Sequence, residues 1–243
     1  MKIIKFDAID STNSFLKELA QKSIVENFTI VTTNEQVAGK GQIGTKWISE
    51  KGKNLTISIF TKYKNILIEN QFYLNFAVSL AIFDTIEDLN VPKLNIKWPN
   101  DILSANKKIC GILVENSFRN NQLISSVIGV GMNVNQTKFP SDLNNVSSIK
   151  NCINKETDLE VLLTNLQMKI IHYVDLFQKK KFDFLKETYL SKLYKKDIPA
   201  TFKDSNQNYF MGIIKGVSNN GKLQILLEDD SIKEFGIKEI SFA

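Results

Sequence analysis

Lys97–Glu115 reads KWPNDILSANKKICGILVE, two apolar segments around a polar turn, with lysines, an Asn-Asp pair and a glycine set between them. Pro99 lacks an N–H and fixes its own φ, and it pushes Trp98 toward extended geometry. A strand over Leu94–Lys97 therefore stops at Pro99 and displays Asn100 and Asp101 at its end. Ile102-Leu103 resumes an apolar strand, Ser104–Lys107 has turn composition, and Ile109–Val114 is a further β-rich run. Such a hairpin holds Lys97, Asn100, Asp101 and Lys108 near one rim. Asn donates and accepts, Asp accepts from an amine or holds Mg²⁺, and Lys neutralises a phosphate or carboxylate. The chemistry suits an anion-handling site. A plain strand–turn–strand with surface lysines and a core Trp98 fits the same residues as well.

Upstream, Ile3–Phe6 reads as a short strand. Asp10-Ser11-Thr12-Asn13 offers N-caps for a helix whose Phe15, Leu16, Leu19 and Ala20 recur at helical spacing. A simple cap explains DSTN by itself, although a helix N-terminus also exposes N–H groups to an anion or a polar ring. Phe28–Thr33 and Asn54–Phe60 alternate as strands. Between them Glu35–Trp47 (EQVAGKGQIGTKW) is glycine-rich and carries Lys40 and Lys46. Its backbone permits close approach of a ligand, yet it matches neither GxxxxGK[ST] nor GxGxxG opening a helix.

Downstream, Gln71–Leu89 has the apolar periodicity of a four-turn helix. Leu123–Val130 is an apolar strand ending in Gly131-Met132-Asn133-Val134-Asn135, and Phe139–Ser148 is a polar loop. Thr157-Asp158-Leu159-Glu160 matches a capping box for a helix reaching about Phe177, and a second helix follows over Asp183–Leu193. The single histidine, His172, has no nucleophile or second histidine arranged with it, so zinc and Ser-His-Asp chemistry fit the chain poorly. From Lys196 the texture changes to short strands at Ile198–Phe202, Tyr209–Val217, Lys222–Leu227 and Lys233–Phe235, with an Asn220-Gly221 hairpin signal.

Composition bounds the rest. A chain of 243 residues, 43% hydrophobic, buries one large core or one plus a small appendage. No stretch approaches the ~18 apolar residues of a membrane span, and the N-terminus lacks a signal-peptide core. Cys110 and Cys152 form no metal spacing or disulfide framework, so a cytoplasmic, reduced protein is the simplest reading. The net charge is +5, and every basic residue except Arg119 is lysine. Their dispersal suits a solvated surface rather than a nucleic-acid groove.

KWPND followed by KKICGILVE resembles the central signature of the biotin protein ligases. DSTN resembles that family's Ser/Thr-Asn motif, GKGQ its nucleotide and biotin loop, and GVGMN its GxGxN segment. The resemblance implies an α+β fold: a mixed-sheet catalytic domain of the class II aminoacyl-tRNA synthetase and biotin ligase type over 1–194, and an SH3-like C-terminal barrel over 195–243. It implies ATP, Mg²⁺ carried with ATP rather than on a protein site, and biotin as substrate. By the same resemblance Ser11, Thr12, Asn13, Gln36, Gly39, Lys40, Gly41, Gln42, Lys108 and Gly111 meet biotin. Lys40, Gln42, Lys46, Trp47, Lys97, Asn100 and Asn133 meet ATP or the adenylate, and Lys108, Lys40 and Asp101 carry the chemistry.

The resemblance further implies a biotin carboxyl carrier domain as acceptor. Many relatives add an N-terminal helix-turn-helix; with DSTN so near residue 1, a single-function ligase without sequence-specific DNA binding is expected. No membrane partner is expected, and a homodimer is left open. The loop departs from the family's GRGR or GRGQ pattern by having Lys40 and Gln42, which predicts looser retention of the adenylate. Two rivals stand: a lipoate or octanoate ligase or transferase on the same architecture, and a non-catalytic binding module.

Overall fold

The hairpin expected from Lys97–Glu115 is the edge of a large sheet. The computed structural model describes residues 2–141, 143 and 145–243. The chain runs β1 (Ile3–Ile9), α1 (Thr12–Lys22), β2 (Thr29–Gln36), β3 (Leu55–Lys62), α2 (Phe72–Glu87), β4 (Leu94–Lys97), β5 (Asp101–Ser104), β6 (Lys107–Arg119) and β7 (Gln122–Met132). It continues through α3 (Ile149–Ile153), α4 (Leu159–Gln178) and α5 (Phe182–Ser191) to β8 (Pro199–Asp204), β9 (Tyr209–Val217), β10 (Leu223–Leu226), β11 (Ile232–Phe235) and β12 (Ile240–Phe242). Seven strands lie in the order β1-β2-β3-β7-β6-β5-β4. β1 and β2 are parallel and the other neighbours antiparallel, which makes the sheet mixed, as expected.

α2 is apolar all round because it is covered all round: Leu74, Ala77, Leu80, Ala81 and Ile82 are fully buried. It packs with α4 against Ile57, Ile59, Ile112, Ile128 and Val130, which point to one face of the sheet. The opposite face is covered only in part. There α1 buries Leu16 against Val31, Phe60 and Val127, and the remainder of that face is left to the site.

One local expectation is corrected, and two elements are added. The cap of α4 is Asp158, whose carboxylate accepts the N–H groups of Glu160 and Val161; Thr157 is instead held through its backbone by the Asn135 amide. The chain after the polar loop forms α3, capped by the Ser148 hydroxyl on Asn151 N–H, a turn too short to show periodicity. β12 lies beyond the last expected strand and pairs with β8.

β8–β12 form a five-stranded antiparallel sheet in the order β11-β10-β9-β8-β12, the arrangement expected of an SH3-like unit. Leu185 and Tyr189 of α5 share one core with Phe202, Ile214, Val217 and Leu223. Trp98 is half-buried and donates its indole N–H to Gly221 O at 2.9 Å, so it ties the central hairpin to the second sheet. No helix among the described residues is long and apolar enough to cross a membrane.

Candidate active site

The partly covered face of the sheet becomes a site because its strands switch side-chain type there. On β3 the residues opposite Ile57 and Ile59 are Thr56 and Ser58; on β7 those flanking Val130 are Gly129 and Gly131. β6 contributes Gly111 beside them. The glycines are required by what lies on them. A Cβ on Gly129 would stand 2.4 Å from Asn13 Oδ1, and one on Gly131 would stand 2.4 Å from Trp47 Cε2. Above this floor is a cavity of about 690 Å³.

Ser11 ends the approach to α1 and caps it, its hydroxyl accepting from Ser14 N–H at 3.4 Å. Thr12 and Asn13 follow and are buried, with Thr12 N–H donating to Gln36 Oε1 at 2.8 Å. These four residues form one wall. The glycine-rich loop forms the next and closes on itself: Gly41 N–H donates to Thr45 O at 2.8 Å and Trp47 N–H to Gly39 O at 3.0 Å. Lys40, Gly41, Gln42, Lys46 and Trp47 line the cavity, and Lys40 Nζ donates to Ser14 Oγ at 2.8 Å.

The central hairpin supplies the third wall, with Lys97, Asn100, Asp101, Lys108 and Gly111 on the cavity. Register explains the grouping: Lys97 pairs with Asp101, and Asp101 with Gly111. Lys108 Nζ lies 2.7 Å from Asp101 Oδ1 and 5.6 Å over the Trp47 ring. The Lys108–Asp101 contact is an ion pair whose angles fall outside those of a hydrogen bond, so Asp101 Oδ1 has no directed donor. Asn100 is committed to the backbone, its Nδ2 donating to Ile112 O at 2.8 Å. Burial pushes the neighbouring Cys110 thiol up, which makes it inert packing.

Two expected residues lie elsewhere. Gly39 is buried and does not line the cavity; a Cβ there would meet Trp47 O at 2.4 Å, so the bare Cα lets the loop close. Asn133 does not line the cavity. Its amide donates to Ser147 O at 3.0 Å, and its Oδ1 is buried without a partner. His172 is exposed on α4, away from the site.

Sequence reasoning missed Ser58 and Glu115, and all of the second sheet's share. Ser58 alternates with Ile57 and Ile59, which reads as a solvent-facing position, but the strand is buried on both faces. Phe242 and Lys203 reach the cavity only through the fold, and Lys97 Nζ sits 5.4 Å over the Phe242 ring. Among the described residues no three His, Cys, Asp or Glu gather as a metal site.

Residues 5–133 match the model of the biotin/lipoate A/B protein ligase family, more than half of the chain. The chain belongs to this family. It is 32% identical over 148 residues to the bifunctional ligase/repressor BirA of Bacillus subtilis, a match covering 60% of this chain and 45% of that one. With BirA of Salmonella typhimurium the identity is 28% over 229 residues, covering 92% and 68%. The match thus spans under half the length of the Bacillus relatives. Among solved structures, the biotin protein ligase of Aquifex aeolicus in complex with biotin and ATP superposes with a TM-score of 0.82 at 26% identity, covering 100% of this chain and 98% of that one.

Proposed function

We propose that this chain is an ATP-dependent biotin–protein ligase, with a catalytic domain over 1–194 and an SH3-like domain over 195–243. The observation that carries the reading is convergence. DSTN, the glycine-rich loop and the central hairpin are far apart in sequence, yet they line one cavity of about 690 Å³, in a fold that matches a ligase holding biotin and ATP over its whole length. Unpaired buried groups support a ligand there. Trp47 Nε1 has no hydrogen-bond partner, and Asp101 Oδ1 meets only the Lys108 ammonium, outside hydrogen-bond angles; both residues line the cavity. Each such group costs about 1–3 kcal/mol when unmet.

In the first step a biotin carboxylate oxygen attacks the α-phosphorus of ATP; the O–P bond forms, the α–β anhydride breaks and pyrophosphate leaves. Two anions have to meet. Lys108 and Lys40 offset that repulsion, and Lys46 and Lys97 add positive charge along the same cavity. Mg²⁺ arrives on the triphosphate. In the second step the amine of an acceptor lysine attacks the acyl carbon and AMP leaves. Asp101, ion-paired to Lys108 on the cavity wall, takes the amine's proton.

Purified protein, biotin and MgATP mixed with a biotin carboxyl carrier domain give a labelled acceptor if the reading holds. Lipoate in place of biotin gives none. Labelling by lipoate alone assigns the chain to the lipoate branch, and neither label nor biotin-dependent pyrophosphate release refutes the ligase reading.

A further inference from the structure

One carboxylate near the cavity has no part in the chemistry above. Glu115 lies on β6 and faces α1, less than a third exposed. Its Oε2 accepts Asn13 Nδ2 at 3.1 Å, and its Oε1 accepts Lys17 Nζ at 2.8 Å. Asn13 is 4% exposed and Ser58 0%, so their hydrogen bonds have no water to exchange with. Asn13 Oδ1 accepts from the Ser58 hydroxyl, which also stands 2.8 Å from Thr12 Oγ1. Thr12 Oγ1 in turn lies 3.1 Å from Gln36 Oε1, which already accepts Thr12 N–H.

The proton count along this chain has one sign. A carboxylate only accepts, so Glu115 forces the amide nitrogen of Asn13 toward itself and the carbonyl toward Ser58. A serine carries one hydroxyl proton, and the Asn13 carbonyl takes it. Gln36 Oε1 is fixed as an acceptor by Thr12 N–H, so the Thr12 proton also points inward, to Gln36 or to Ser58. Thr12 Oγ1 is left with lone pairs only. Thr12 lines the cavity.

We propose that Glu115 is a positioning residue that sets the direction of the hydrogen-bond chain Glu115–Asn13–Ser58–Thr12 and so leaves Thr12 as an acceptor for an N–H of the ligand's head ring. The inference rests on the biotin reading, because a urea ring carries such N–H groups and the dithiolane of lipoate carries none. Glu115 touches no reacting atom. With a neutral amide at position 115, Asn13 is free to flip, its nitrogen faces Ser58, and the Ser58 proton turns onto Thr12 and occupies a lone pair.

The test is equilibrium binding of biotin by calorimetry, with biotin-dependent pyrophosphate release in parallel, on the full chain. Glu115→Gln is expected to weaken biotin binding and raise its KM by about tenfold, with kcat and the KM for ATP within about twofold. Unchanged biotin affinity in Glu115→Gln overturns the inference while leaving the ligase reading intact. So does an equal loss toward ATP, which marks a general structural defect. A parent that binds no biotin overturns the biotin reading and the inference with it.

Discussion

The two faces of the seven-stranded sheet are built from the same strands and do opposite things. Toward α2 the strands present Ile57, Ile59, Ile112, Ile128 and Val130, in a core with no exposed member. Toward α1 the intervening positions are Thr56, Ser58, Gly111, Gly129 and Gly131, and the cavity opens over all of them but Ser58, which lies under Thr12 and Asn13. Period-two alternation thus points one set of side chains into the core and the other toward the cavity, although Ile57, Ile112 and Val130 also border it. A substitution on β7 should damage one property or the other according to the parity of its position.

The largest effect is expected where the cavity carries its charge. Lys108→Ala removes the ammonium between the meeting anions and leaves Asp101 without its ion-pair partner. Biotin-dependent pyrophosphate release should fall by about 10²–10³ in kcat. Retention of activity within tenfold would remove Lys108 from the chemistry.

The parity itself is tested by neighbours. Gly131→Ala forces the Trp47 ring to move, since the new Cβ would stand 2.4 Å from Cε2. The KM for ATP is expected to rise by about tenfold or more, with a loss of stability of about 1–3 kcal/mol. Ile128→Ala, on the other face and fully buried, should cost about 2–5 kcal/mol of stability in chemical denaturation and leave both KM values within about threefold. The reverse pattern would break the division between the faces.

Loop chemistry gives a smaller effect. Lys40 is held on Ser14, and Gln42 faces the cavity without a charge. Gln42→Arg should slow escape of the acyl-adenylate into solution several-fold, read as biotin labelling of a bystander protein. Equal bystander labelling by parent and variant would show that Gln42 does not set retention.

Legibility in the sequence follows the same division. Strand parity, the helix cap at Ser11 and the break at Pro99 are local properties, and β4–β7, α1 and α2 lie where the residues place them to within a few positions. Lys97, Asn100, Asp101 and Lys108 share one strand–turn–strand, so their convergence was readable from register. The contacts that join distant elements were not. Asn13 meets Glu115 across 102 positions, and Trp98 meets Gly221 across 123. Asn133 shows the reverse: its motif suggests a ligand contact, while its amide donates to Ser147 O and the residue does not line the cavity. Phe242 was invisible because a three-residue strand carries no periodicity and takes its place from pairing with β8 and packing on Tyr194 and Phe202.

Glu115 lies on the α1 face beside Asn13 and Lys17, and its titration gives the smallest effect. Burial disfavours its charge, but hydrogen bonds from Lys17 and Asn13 and the charges of Lys17 and Lys40 outweigh that, and its carboxyl is held below the ordinary value of 4.5. A carboxyl depressed in the folded state stabilises the fold above its unfolded pKa, and that contribution is lost as pH falls through the folded one. The stability difference between parent and Glu115→Gln should therefore be flat from neutral pH to about pH 5, then shrink progressively below pH 4.5. Lys17 is half-exposed and solvent screens the pair, so the difference should stay under about 1 kcal/mol. Thermal melts at about pH 7, 5, 4 and 3 measure it. A difference that grows toward acid would mean that Glu115 is protonated more readily in the folded chain than in the unfolded one, and the one-way chain from Glu115 to Thr12 would then lose its anionic anchor.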